Sequence, residues 1–402
     1  MRKRPFVLAP SVPPGDRGYL GPMSRRSRTG SPSRPPAQNR GRAVALALAS
    51  AFSVGSLAVA QQPSPTPVQE FVTVTRVEVT LHATDKLGNV IPGLKKEDFR
   101  LFVDEQPVTI ESVEWAGAPN GVPGAEAASA PAPASPGETP APAPYSSDRG
   151  RLIVLLFQTQ IEGLKDEGLM RVKRLALDFA DTLSPNDRAA VLLAGSRLWL
   201  TQDFTSDRKA IRAAISRVPK KEDVTAASAP AGEPSLVAGL PLETVQAATS
   251  PEKALAALGR ALRPLPGSKA VLFFGWAVGK WNALAPVGDY HMGRIDYSKD
   301  YEAARKALSE AQAPVFTLDV SGGPHQLQEG LNALSFETGG FYMPTYQFPR
   351  AAMRQVGEAI KGHYVVVFRK PDLPKGAHKI RIDRMRGDWQ LLYRQDYDDA
   401  GS

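Results

Sequence analysis

The side chains most able to do chemistry gather where hydrophobic runs stop. Leu152 to Phe157 is an unbroken apolar stretch that ends at Gln158-Thr159-Gln160-Ile161-Glu162-Gly163. Gln158 and Gln160 can offer only neutral carbonyl oxygens, and Glu162 is the first carboxylate after the run. A second run, Val315 to Leu318, is followed by Asp319-Val320-Ser321, an Asp-x-Ser spacing ahead of Gly322-Gly323. Hard divalent cations take oxygen ligands, and a formal negative charge helps offset the cost of dehydrating the ion. Glu162 and Asp319, aided by water, could supply that charge; the other reading of Asp319 is a turn residue before paired glycines. A third run ends in Phe274-Gly275-Trp276, with Trp281, Tyr290 and His291 close behind. Aromatic side chains on an exposed loop are the types that anchor protein contacts. The alternative for Trp276 is packing under a neighbouring helix. Asp289, Asp296 and Asp300 read as charges of a solvated, irregular loop.

Catalytic patterns are missing. The chain has no Gly-x-Ser-x-Gly elbow, no His-Glu-x-x-His and no Walker loop. Its five histidines, His82, His291, His325, His363 and His378, show no metal-ligand spacing. Glu97-Asp98 and Asp398-Asp399 are adjacent in sequence and so point in different directions from a strand or helix, as solvated charges do. The expectation is a chain with no catalytic residue, no metal and no cofactor. A hydrolase assembled from scattered residues is the competing class.

The net charge of +8 could suggest a polyanion partner, but residues 1–60 hold 10 of the 49 Lys and Arg and a single acid, Asp16. The remainder is balanced, which argues against nucleic acid. Within that leader, Arg40 and Arg42 precede the apolar stretch Ala43 to Val59, which ends in Ala58-Val59-Ala60. Basic segment, apolar segment and small-x-small site form the pattern of a secretory signal peptide, cleaved near Ala60. The basic part is unusually long, which leaves the start of translation at Met1 or Met23; an uncleaved anchor, the only route to a membrane, is the alternative to cleavage. The expected location is therefore secreted or periplasmic, in keeping with zero cysteines. The expected partner is an unidentified protein or envelope component.

These residues need a scaffold, and the hydrophobic pattern supplies one. Val72 to Leu81 alternates apolar and polar residues as a half-buried strand does. With a short helical turn at Leu94 to Phe99 and strands at Leu101–Val103 and Val108–Ile110, it defines a small Ig-like β unit over 68–115. An Ala/Pro-rich linker spans 116–150. From 151 to 361 strands alternate with helices, the order of a doubly wound, mostly parallel α/β sheet. Helices are expected after Leu152–Phe157 with Leu169, Val172, Leu175, Phe179 and Leu183 inward, after a Ser206 cap, from Ser250-Pro251-Glu252, and over 301–313, 325–338 and 350–361. A mobile insertion is expected at about 224–250. Antiparallel strands in 362–402 add at the sheet edge or against the small β unit.

Several stretches together carry a resemblance: Leu94-Lys95-Lys96-Glu97-Asp98-Phe99, Arg151 to Phe157, Leu183-Ser184-Pro185-Asn186-Asp187-Arg188, Asp203-Phe204-Thr205-Ser206-Asp207-Arg208, Thr338-Gly339-Gly340 and Tyr393-Arg394-Gln395-Asp396-Tyr397. In this order, over roughly 70–397, the chain resembles the acidobacterial type of VWFA-related proteins, a secreted branch of the von Willebrand factor type A domains. The resemblance implies a divalent cation at the strand ends, held by an Asp-x-Ser-x-Ser loop, a distant Thr and a further Asp. Those loop positions fall on Gln158, Gln160 and Glu162, and the further Asp is replaced at Phe274-Gly275-Trp276. Coulomb attraction scales with charge, so amides, glycine and indole remove the dominant attraction for the ion. The expectation is a degenerate cation site and a rim of Gln158, Thr159, Gln160, Glu162, Trp276, Trp281, Asp319 and Ser321 that binds a partner without metal.

Overall fold

A computed structural model describes residues 75–117, 150–159, 164–219, 233–286 and 292–400. The leader at 1–60, most of the linker, Gln160, Glu162, Asp289, Tyr290 and His291 lie outside the described residues, all of which belong to one compact unit, Phe71–Ser402. No helix among them is long and apolar enough to cross a membrane.

The first element among the described residues is β1 (Arg76–Thr84), whose Val77, Val79, Leu81 and Ala83 all face one apolar core. A single 3-10 turn at Lys96–Asp98 leads to β2 (Phe99–Val103), β3 (Gln106–Val108) and β4 (Ile110–Gly117). β4 runs two residues into the segment assigned to the linker by composition.

The parallel sheet begins with β5 (Arg151–Gln158). Ile153, Leu155 and Phe157 point to one hydrophobic layer and Leu152, Val154 and Leu156 to the other, which is why the run has no polar alternation. Then follow α1 (Leu164–Thr182), β6 (Arg188–Ala194), β7 (Leu198–Thr205), α2 (Arg208–Arg217), α3 (Leu242–Ala247), α4 (Pro251–Leu262) and β8 (Ser268–Gly275). A hairpin of β9 (Asn282–Pro286) and β10 (Met292–Asp296), α5 (Ser298–Glu310), β11 (Val315–Asp319), α6 (Gln328–Glu337), β12 (Tyr342–Pro344) and α7 (Pro349–Ala359) complete the body. The strand order is β12-β11-β8-β5-β6-β7, parallel except for β7. Residues of α1, α2 and α7 line one layer, and those of α4, α5 and α6 the other. This is the doubly wound sheet that the strand-helix alternation predicts. The chain moves outward from β5 to β6 and β7, then returns to place β8 on the other side of β5, so the topological switch point lies between β5 and β8.

Local chemistry moves some boundaries. Asp207, not Ser206, caps α2, its Oδ1 accepting from the Lys209 N–H at 2.8 Å. α5 starts at Ser298, where Asp296 accepts from the Ser298 N–H at 2.9 Å. The loop around Asp296, expected to be irregular, contains the β9-β10 hairpin. The described part of the expected mobile insertion is packed: Leu236, Leu240 and Ala248 join the core, and buried Asp203 accepts from the Leu236 N–H at 2.9 Å and from the Ser235 hydroxyl at 2.5 Å.

The last strands, β13 (Gly362–Arg369), β14 (Ala377–Arg384), β15 (Gln390–Tyr393) and β16 (Asp396–Asp398), return to β1–β4. They form two four-stranded antiparallel layers, β15-β1-β13-β4 and β16-β14-β2-β3, around Leu81, Leu101, Val103, Tyr364, Phe368 and Trp389. Of the two placements open from sequence, the structure takes the one against the β unit. β13 sits between β1 and β4. Deleting 362–402 therefore removes β13 from the middle of one layer, leaving β1 and β4 without a partner strand, and leaves β2 paired with β3 alone. We expect residues 75–117 of that truncation to be cleaved rapidly in limited proteolysis, while peptides from the β5-β6-β8 core stay protected.

Candidate functional site

The carboxyl ends of β5, β8 and β11 form one rim at the switch point. Gln158, only 2% exposed, turns its Oε1 toward the chain leaving β8 and accepts from the N–H groups of Trp276 at 2.9 Å and Ala277 at 3.2 Å. Gly275 makes this possible. A Cβ there would stand 2.9 Å from Gln158 Oε1 and 2.3 Å from the Phe273 ring. Thr159 turns away from the rim, its N–H and hydroxyl both directed at the Ala194 carbonyl at 2.7 and 3.2 Å.

The same exit loop is held from the other side by Glu252 in the first turn of α4. Its Oε1 accepts from the Gly279 N–H at 2.6 Å, and its Oε2 is buried without a hydrogen-bond partner. Burial pushes this carboxyl up from its ordinary range, against the lowering effect of the Gly279 N–H and Ser250. Three backbone donors after β8 are thus satisfied by two side chains from different elements.

At the end of β11, Asp319 is fully buried and multiply bonded. Its Oδ1 accepts from the Ser321 N–H at 2.8 Å; its Oδ2 accepts from the Tyr342 hydroxyl at 2.6 Å and lies 3.1 Å from His325 Nε2. Thr345 donates N–H and hydroxyl to the Asp319 carbonyl at 3.1 and 2.6 Å. Burial alone would raise the carboxyl pKa, but the bonds from His325, Tyr342 and Ser321 outweigh it and hold the group below the ordinary range. Burial and the facing carboxylate push the Tyr342 phenol up. The Ser321 hydroxyl donates to the Gly323 carbonyl at 3.0 Å. Gly168 of α1 abuts this turn so closely that a Cβ would lie 1.7 Å from the Val320 carbonyl oxygen.

The rim thus brings together Gln158, Trp276, Asp319 and Ser321 around the three strand ends, while Gln160 and Glu162 lie outside the described residues. Among the described residues no three His, Asp or Glu side chains converge as a metal-ligating group. The described oxygens at the rim are already engaged: the Gln158 oxygen takes two backbone donors, and the Asp319 oxygens are engaged by His325, Tyr342 and Ser321.

The two tryptophans separate. Trp276 is half-buried against the layer of α1 and α7, whereas Trp281 is 56% exposed. The Trp281 indole N–H donates to Glu329 of α6 at 3.2 Å. Beside it, the Lys280 ammonium lies 2.7 Å from Glu337 Oε1, 5.1 Å from the Trp281 ring and 5.3 Å from the Tyr301 ring. Tyr301 donates to Glu337 Oε2 at 2.7 Å, and burial followed by the Glu337 charge pushes its phenol up. Sequence reasoning missed Glu252, Lys280, Tyr301, His325, Glu337 and Tyr342 as parts of this region. His325 alone had a usable signal, an imidazole just past the glycine turn that follows Asp319.

No family model matches the chain, and no curated protein does. Solved structures similar to it include a conserved hypothetical protein BatB from Bacteroides thetaiotaomicron, at 16% identity and TM-score 0.34, covering 53% of this chain and 100% of that one. An aerotolerance-related membrane protein from Bacteroides fragilis is similar at 15% identity and TM-score 0.33, covering 52% and 98%. A von Willebrand factor type A protein from Catenulispora acidiphila is similar at 11% identity and TM-score 0.33, covering 62% and 66%. These likenesses are too distant to bear on function.

Two outcomes follow from the geometry. Gln158→Leu leaves two N–H groups without their acceptor and should destabilise the chain by about 2–4 kcal/mol in urea unfolding. Asp319→Asn should cost about 1–3 kcal/mol at neutral pH. Because the Asp319 carboxyl is depressed when folded, its contribution is present above the unfolded value of 3.8 and lost as pH falls below it. The difference between wild type and Asp319→Asn should therefore narrow below that pH.

Proposed function

We propose that this chain is a non-enzymatic protein-interaction module, secreted or periplasmic, whose strand-end rim holds a partner without a bound metal ion. On this reading it is a von Willebrand factor type A-like body of the acidobacterial kind with a degenerate cation site, accompanied by an Ig-like sandwich. The observation that carries the proposal is the Gln158 amide at the switch point. Its oxygen accepts from two main-chain N–H groups where a cation-binding relative would need anionic oxygens. A carboxylate missing from that place cannot be replaced by a neutral dipole without losing most of the attraction for a doubly charged ion. Trp281, exposed on the exit loop and oriented by Glu329, is the anchor we assign to the partner contact. Large amphipathic rings held in one orientation lose little freedom on binding and dominate interface energies. The pattern Ala43 to Ala60 supports export.

Calorimetric titration of the chain without its leader tests the metal-free reading. Magnesium and calcium should give no saturable heat at micromolar concentrations; micromolar binding would establish instead a site completed by Glu162 and Asp319. Trp281→Ala should leave thermal unfolding unchanged and reduce capture of the partner from envelope extract at least tenfold. Equal capture by wild type and variant would refute the anchor. Turnover of ester, peptide or glycosidic substrates that survives repurification would favour the hydrolase reading.

A further inference from the structure

The sandwich docks on the α/β body along a seam that buries two histidines. His82 of β1 and His363 of β13 are cross-strand neighbours one step beyond the Leu81–Tyr364 pair, with ring centroids 5.6 Å apart. His82 stands edge-on to Phe316 of β11 at 5.7 Å, and its Nδ1 lies 3.0 Å from the Ala359 carbonyl at the end of α7. A carbonyl can only accept, so Nδ1 carries the proton and Nε2 holds a bare lone pair. Nε2 of both rings is buried without a hydrogen-bond partner, and the residues are 4% and 3% exposed.

We propose that His82 and His363 form an acid-sensitive latch: as neutral rings they pack the seam closed, and proton uptake favours an open state in which both rings are hydrated. A proton arriving on either Nε2 in the closed seam creates a buried charge that the carbonyls near His82 offset only in part, and two such charges would face each other across adjacent strands. The hinge available to the motion is the short connection between α7 and β13.

The charged groups around the pair work in known directions. Arg151 of β5 bonds the Ile360 carbonyl at 2.7 Å and pairs with Asp187, and its charge disfavours a proton on His363. Glu358 and Lys361, at the end of α7, pair with each other at 2.7 Å. On the same face of the sandwich, burial and Glu114 raise the Glu78 carboxyl, with Arg394 opposing; acid relieves that group and so works against opening. Neither ring has a salt-bridge partner among the described residues.

Burial pulls His82 down to about 4, against the Ala359 and Gly362 carbonyls. Burial, with His82 and Arg151 adding to it, pulls His363 down to about 3. Groups depressed in the closed state stabilise it fully above their open-state value of 6.5, and that stabilisation is lost as pH falls. Below 6.5 the opening constant should rise on the order of tenfold per pH unit for each ring, until the closed-state values are reached. Asp98, Asp104, Asp319, Asp398 and Asp399 are also depressed, but they lose their contribution below 3.8, at the acid end of this window.

Hydrogen exchange followed by mass spectrometry on the full chain tests the latch, comparing peptides over 76–84 and 352–369 with peptides over 152–157. After correction for intrinsic exchange, seam opening in wild type should increase roughly a hundredfold per pH unit between pH 6 and 5. In His363→Phe, which keeps an aromatic ring of similar size, the increase should fall to about tenfold per pH unit. An unchanged slope in that variant, or a wild-type seam indifferent to pH, would overturn the proposal. If His363→Phe does not fold, His363→Met replaces it with the same expected slope. As an independent reading, neither imidazole should titrate near pH 6.5 by NMR in the closed protein; a ring that does so is not part of a latch.

Discussion

At the switch point of the central sheet, the main chain leaving β8 exposes N–H groups that have no strand to pair with. The Gln158 oxygen takes those of Trp276 and Ala277, and Glu252 takes that of Gly279. Buried donors left unpaired are costly, so this pairing fixes the path of the exit loop and everything the loop carries. It places Trp276 against the apolar layer and brings Lys280 and Trp281 onto α6. It also accounts for Gly275, since a side chain at that position would collide with the Gln158 oxygen and the Phe273 ring. The rim is organised by acceptors serving the backbone from within.

From this rim a polar chain runs to the sandwich. Lys280 bonds Glu337, Glu337 accepts from Tyr301, and the Glu337 carbonyl accepts from the Gln395 N–H at 3.1 Å. Arg305 of α5 pairs with Asp396, and Lys306 with Asp398, so α5 and α6 cover the β15-β16 edge. An exposed sheet edge invites unwanted pairing, and these ion pairs close it on this side. Sandwich and α/β body are therefore joined by charge along the edge, by the Arg394 bond to the Ser309 carbonyl and the Gln312 bond to the Glu78 carbonyl, and by the two histidines along the seam.

Much of this was legible in the chain. The run Leu152 to Phe157 reads as a strand buried on both faces, and the helical stripe Leu169, Val172, Leu175 and Phe179 as an inward face; the structure packs that stripe in the layer of Ile153, Leu155 and Phe157. What pattern could not show was partnership at a distance. Nothing local links Gln158 to residues more than a hundred positions later, or Asp319 to Tyr342; only the fold brings those acceptors and donors together. The packed half of the 224–250 segment was missed for a similar reason. Its Ala, Pro and Ser content reads as solvated chain, yet Asp203 supplies the buried hydrogen bonds that composition cannot reveal. The alternation of Val77, Val79 and Leu81 announced a half-buried strand but not its neighbour, because period two says which face is covered and not by what.

The interleaving of β13 between β1 and β4 sets an order for assembly. Strands made early must wait while the whole α/β body is synthesised, because the residues that complete their sheet come after it. In the interval β2 can pair with β3, but β1 and β4 have no partner strand, and open edges of this kind aggregate or recruit a holding chaperone. Non-local pairing of this sort is slow to form, so the body can mature first and serve as the template on which the sandwich closes.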